Sequence, residues 1–148
     1  MAFQFKLNSV LHFRQSLEHQ EELRLRAANQ HEARVRHLIE QMDVRRQQLY
    51  TTHANNLASG MSAAELQFEL LCETELLRHR GSLEQELVRQ QQLREQQREI
   101  FRQARRARET LEAVRNEQLR LYQKDALRKE QRGLDDMFLL RREYLRRG

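Results

Sequence analysis

The sequence predicts an all-α fold, with two long helices folded back on each other as an antiparallel coiled-coil hairpin and a short tip helix between them. Three observations carry this. Of the 148 residues 33% are charged and 6% aromatic, with no Pro, no Trp and four Gly. Gln, Glu, Arg, Leu and Ala dominate, good helix formers that do not build a thick core. Apolar residues recur at steps of three and four along most of the chain, the spacing of helices that bury one narrow stripe. A strong stop falls at Leu57-Ala58-Ser59-Gly60-Met61-Ser62.

Helix 1 is expected from about residue 3 to 58. Its stripe reads Leu7, Val10, Arg14, Leu17, Glu21, Arg24, Ala28, His31, Val35, Leu38, Met42, Arg45, Leu49 and Thr52. The two ends are apolar enough to pack, and the polar middle from Glu21 to His31 should be looser. The turn is expected at 59–61. Asn55 and Asn56 weaken the helix end, Gly60 can take the left-handed conformation that closes it, and Ser62 with Glu65 spells a capping box.

A tip helix is expected at about 62–80, because Gly81 costs about 1 kcal/mol in a helix interior and Ser82 with Gln85 offers a second capping box. The alternative is one helix from Ser62 to Arg147 that tolerates Gly81. Helix 2 is expected at about 82–147, with the stripe Leu83, Leu87, Gln90, Leu93, Gln97, Ile100, Ala104, Ala107, Leu111, Val114, Gln118 and Leu121. The whole reads as a single coiled-coil domain. Facing Ala58 with Ser62 puts Phe3 beside Glu117, and roughly thirty residues then project past the N-terminus. That overhang holds Leu134, Met137, Phe138, Leu139, Leu140, Tyr144 and Leu145, and contiguous exposed apolar surface of this kind marks an interface.

The formal charge is +5, unevenly spread. Ser62 to Leu77 carries Glu65, Glu69, Glu73 and Glu75 without a Lys or Arg, whereas the last eight residues hold Arg141, Arg142, Arg146 and Arg147 against Glu143. The hairpin therefore has an acidic tip and a basic open end. The run Arg102 to Arg108 invites a nucleic-acid reading, but Ala104 and Ala107 fall on the seam, so its arginines point outward as a solvated face does. No nucleic-acid partner is expected.

A thin seam offers no enclosed pocket for catalysis, and the chain lacks a phosphate loop, a Ser-His-Asp order and His pairs at the i, i+4 spacing of a zinc site. No enzyme activity, cofactor or metal is expected. Cys72 stands alone, which excludes an internal disulfide and fits a reducing compartment. The N-terminus does not read as a signal peptide, and no stretch approaches the roughly 20 apolar residues that span a bilayer. A soluble, cytoplasmic protein without membrane insertion is expected.

The opening Phe3-Gln-Phe5-Lys-Leu7-Asn-Ser-Val10-Leu11-His-Phe-Arg14 resembles the start of the FliJ family of flagellar export proteins, which commonly begin Phe-x-Phe-x-Leu-x-x-Val-Leu-x-x-Arg. The Gly60 turn comes at a similar distance, and Leu66 to Leu77 is Leu-rich with an aromatic at Phe68. Glu130-Gln-Arg-Gly133-Leu134-Asp135-Asp136 is similar to the family's Glu-x-x-x-Leu-Asp-Glu stretch, with Asp136 in place of Glu and Gly133 just before the motif.

The resemblance implies a non-enzymatic stalk that sits in the hexameric export ATPase ring and promotes its activity. It also implies links to the export gate and substrate chaperones, in the cytoplasm beside the inner membrane. On that reading Phe3, Phe5, Leu134, Asp135, Asp136, Phe138, Arg141, Arg142 and Tyr144 are candidate ring contacts. Leu38, Met42, Leu49, Leu66, Leu70 and Leu76 are candidate gate and chaperone contacts. For Leu38, Met42 and Leu49, simple closure of the seam is the competing role. Two other functions stay open: a structural or adaptor coiled coil outside secretion, such as a homodimer, and the stalk of a virulence-type secretion system.

Overall fold

The computed structural model describes residues 2–148. Two helices, α1 (Asn8–Ser59) and α2 (Ala63–Arg147), pack against each other as an all-α antiparallel hairpin, with no strand among the described residues. The chain divides into two compact units, Met1–Glu18 with Gln103–Gly148, and His19–Arg102. Each contains a piece of both helices.

In the unit His19–Arg102 the turn forms as its residues dictate. Gly60 takes φ 91°, the left-handed region that costs an L side chain energy. The Ser62 amide donates to Glu65 Oε2 at 3.1 Å, and the Glu65 amide donates to Ser62 Oγ at 3.3 Å. Two amides that α2 leaves without helical partners are thereby satisfied.

α2 does not break at Gly81, and there is no separate tip helix. A break would free several backbone donors and acceptors, each costly to leave unmade. Keeping glycine in the helix costs only about 1 kcal/mol. Adjacent Arg80 also bridges Glu84 on its own helix and Asp43 on α1, holding this turn in place.

The covered stripe of α1 in this unit is Glu21, Leu25, Ala28, Glu32, Val35, Ile39, Met42, Arg46, Leu49, His53 and Asn56, of which Glu21, Glu32 and Met42 are buried and the rest half-buried. It shares Glu21, Ala28, Val35, Met42 and Leu49 with the expected stripe but takes Leu25, Glu32, Ile39, Arg46 and His53 in place of Arg24, His31, Leu38, Arg45 and Thr52. A ladder of threes and fours has two phases that share every seventh residue. The facing helix selects the one that half-buries Leu25 and Ile39 and gives Glu32 and His53 partners. α2 makes the same half-step, with Leu76, Arg94 and Phe101 covered rather than Leu77, Leu93 and Ile100.

In the other unit α1 starts at Asn8, not at residue 3. Residues 2–5 are non-helical, the Asn8 amide donates to the Phe5 carbonyl at 3.1 Å, and Phe5 is buried at 8% exposure. Burying a Phe is worth about 1.5–3 kcal/mol, more than a few further residues of isolated helix would contribute. The Phe3 ring lies 5.6 Å from that of Tyr122, tilted at 51°. Its neighbour is thus Tyr122 and not Glu117, because an extended arm advances about 3.3 Å per residue against 1.5 Å in a helix. Every residue from 120 to 148 is exposed.

Candidate functional site

The apolar core is thin, with Phe5, Leu11, Met42 and Ala104 buried, and two acidic residues, Glu21 and Glu32, are buried alongside. Polar side chains on the seam therefore meet across the helices. Glu32 pairs with Arg94 at 3.1 Å and with Arg36 of its own helix at 2.7 Å. Glu21 accepts from Gln97 at 2.5 Å and from Arg24 at 2.8 Å. Arg80 reaches Asp43 at 2.7 Å, and its guanidinium holds the Asp43 carboxyl below its usual range.

Near the turn, Glu69 bonds to His53 and accepts from Asn56 at 3.0 Å, and both bonds, His53 first, hold its carboxyl down. In the smaller unit Arg108 joins Glu18 to Glu112, and the Glu18 carboxylate favours its charged form. Charged layers in a coiled-coil seam fix register more than they stabilise it. They form no acid–base pair beside an enclosed cavity, and no metal-binding group of His, Cys, Asp and Glu exists among the described residues. No described helix is long and apolar enough to cross a membrane.

The unit His19–Arg102 carries two open grooves close to the turn. The larger, about 780 Å³, is floored by Met42, Leu49, Cys72 and Leu76 and edged by Arg45, Arg78 and His79. The smaller, about 140 Å³, holds Leu49, Leu70, Tyr50, His53 and Glu69. Four of the six candidate gate and chaperone residues, Met42, Leu49, Leu70 and Leu76, are thus brought to grooves. Leu66 and Leu38 line neither. Leu38 is 41% exposed because Ile39 takes its seam position, so closing the seam is not its role. Met42 and Leu49 do sit on the seam.

The candidate ring residues separate into three groups. Phe5 is buried and Phe3 packs on Tyr122, so both anchor the N-terminal arm. Leu134, Phe138, Arg141 and Tyr144 fall within one arc of α2, read at 100° per residue. Asp135, Asp136 and Arg142 fall outside it. The same arc contains Leu127, Met137 and Leu145, all exposed, which the motif resemblance did not single out although their three-and-four spacing was legible. Leu134 is 62% and Tyr144 81% exposed. The ion pairs Asp125–Arg128 and Glu143–Arg147 of this segment lie on the opposite side. The result is a bare helix with an apolar face and a cation in its middle.

The family model described as "Flagellar FliJ protein" matches residues 3–148. Neither a search of curated proteins nor a search of solved structures returns a match.

Proposed function

The chain belongs to the flagellar FliJ family, whose members are non-catalytic components of the flagellar export apparatus, and from that premise we propose that it serves there as a stalk. Its C-terminal helix enters the hexameric export ATPase ring and promotes hydrolysis, while the turn-proximal end engages the export gate and substrate chaperones. It works in the cytoplasm beside the inner-membrane gate, without a cofactor.

One observation carries this reading. From about residue 123 to 147 every residue of α2 is exposed, with Leu134, Phe138 and Tyr144 on one face beside Arg141. A helix satisfies its own backbone hydrogen bonds, so it can stand inside a ring and offer only side chains. A stalk promotes turnover only by binding some subunit states better than others, and a preference of about 1.4 kcal/mol already shifts their ratio tenfold. A helix with one apolar face is suited to this, since it cannot meet six subunits alike.

The test is export-ATPase hydrolysis with and without the chain. Leu134→Ala with Phe138→Ala should reduce stimulation roughly tenfold, while the melt of the dilute chain stays put because both residues are exposed in a single copy. Full stimulation at an unchanged melt overturns the reading. For the turn-proximal grooves, Leu70→Ala is the cleaner probe, since Leu70 is 54% exposed. Undiminished capture of both gate and chaperones by that variant removes the groove from the account.

A further inference from the structure

We propose that the C-terminal helix pairs antiparallel with the same helix of a second copy, layering Leu127, Glu130 and Leu134 against the partner's Tyr144, Arg141 and Met137. The seam positions come from spacing: Leu127, Glu130, Leu134, Met137, Arg141 and Tyr144 follow one another at steps of three and four. Antiparallel coils stack each first-type position on a second-type position of the facing helix. Here that rule is self-complementary. With the two-fold axis between Asp135 and Asp136, apolar meets apolar in four layers and Glu130 meets the partner's Arg141 in the remaining two.

Five features favour a second copy as the occupant. The charges match only in this orientation, since a parallel pair would stack Glu130 on Glu130 and Arg141 on Arg141. Neither residue has an ion-pair or hydrogen-bond partner among the described residues, so both are available to a facing helix. A Glu–Arg layer is also this chain's own usage, as Glu32 with Arg94 and Glu18 with Arg108 show.

The register also agrees with the arm: its outermost layer is Leu127, beyond Tyr122, where Phe3 packs. The partner helix would thus fill the stretch of α2 that the N-terminal arm leaves bare. On the flank the partner's Leu140 meets Gly133, where the space a side chain would take is open. The pairing covers the face proposed above to meet the ring, so on that reading it is a resting form that the ring must displace.

The experiment uses the full chain alone, without the ATPase, so its outcome is independent of the ring. Sedimentation equilibrium over roughly 1–100 μM should show a concentration-dependent dimer. Glu130→Arg alone and Arg141→Glu alone should each weaken it about tenfold or more, since each puts like charges face to face twice. An equimolar mixture of the two variants should recover wild-type association, because the heterodimer restores both ion pairs. A monomer at every concentration, single variants that dimerise as well as wild type, or a mixture that fails to recover each overturns the proposal.

Discussion

Removing Arg94 tests how the charged seam holds the helices in register. Glu32 is 5% exposed and has two partners, Arg94 across the seam and Arg36 on its own helix. Stripping a buried carboxylate of its only partner costs about 3–5 kcal/mol. Arg94→Met leaves Arg36 in place, and the Arg94 side chain is 35% exposed, so about half of that, roughly 2 kcal/mol, is expected. The native layer is not ideal either: Arg94 Nε is buried with no hydrogen-bond partner, a deficit of about 1–3 kcal/mol already borne. Replacing both members, Glu32→Leu with Arg94→Met, removes the charge and the orphan together. The double variant should match or exceed wild type by about 1 kcal/mol. Urea unfolding followed by far-UV circular dichroism reads all three. A single variant within about 0.5 kcal/mol of wild type, or a double variant no better than the single, refutes the reasoning.

Two glycine substitutions should move stability in opposite directions in the same assay. Gly60→Ala forces an L residue to φ 91° and should cost about 1–2 kcal/mol, whereas Gly81→Ala, in mid-helix with open space at its Cβ position, should add about 1 kcal/mol. Equal signs would contradict the assigned backbone. Acid should loosen the helix pair of the unit His19–Arg102. Asp43 and Glu69 are both held below their ordinary values of 3.8 and 4.5 by Arg80 and His53 respectively, so their contribution is present above those values and is lost as pH falls through the lowered ones. A melt of Asp43→Asn with Glu69→Gln should show a shallower loss of melting temperature below about pH 4.5 than wild type, and an identical slope would remove the two carboxylates as its source.

The fold was legible because each local signal agreed with the next. Gly60, Ser62 and Glu65 specify a turn by backbone conformation and short-range hydrogen bonds alone, and the helices follow from composition. The phase of the seam was not legible, since Leu38 and Ile39, or His31 and Glu32, satisfy the same ladder until a facing helix chooses between them. Gly81 misled for a related reason: propensity weighs the residue but not the backbone bonds that a break would expose. The N-terminal arm depends on tertiary burial of Phe5, which no local preference announces. At the C-terminus, spacing identified a sticky face but motif resemblance pointed to Asp135 and Asp136, which the helix turns away from Leu134 and Phe138.

The central claim is that this face, and not merely the presence of the helix, meets the export ATPase ring. Site-specific photo-crosslinking tests it most directly, with a photo-reactive residue placed singly at Phe138, at Tyr144 or at Arg132 on the opposite side of α2. The account predicts ATPase adducts from Phe138 and Tyr144 and few or none from Arg132. Equal yields from all three positions, or no adduct from Phe138 and Tyr144 in a chain that still stimulates hydrolysis, would contradict it.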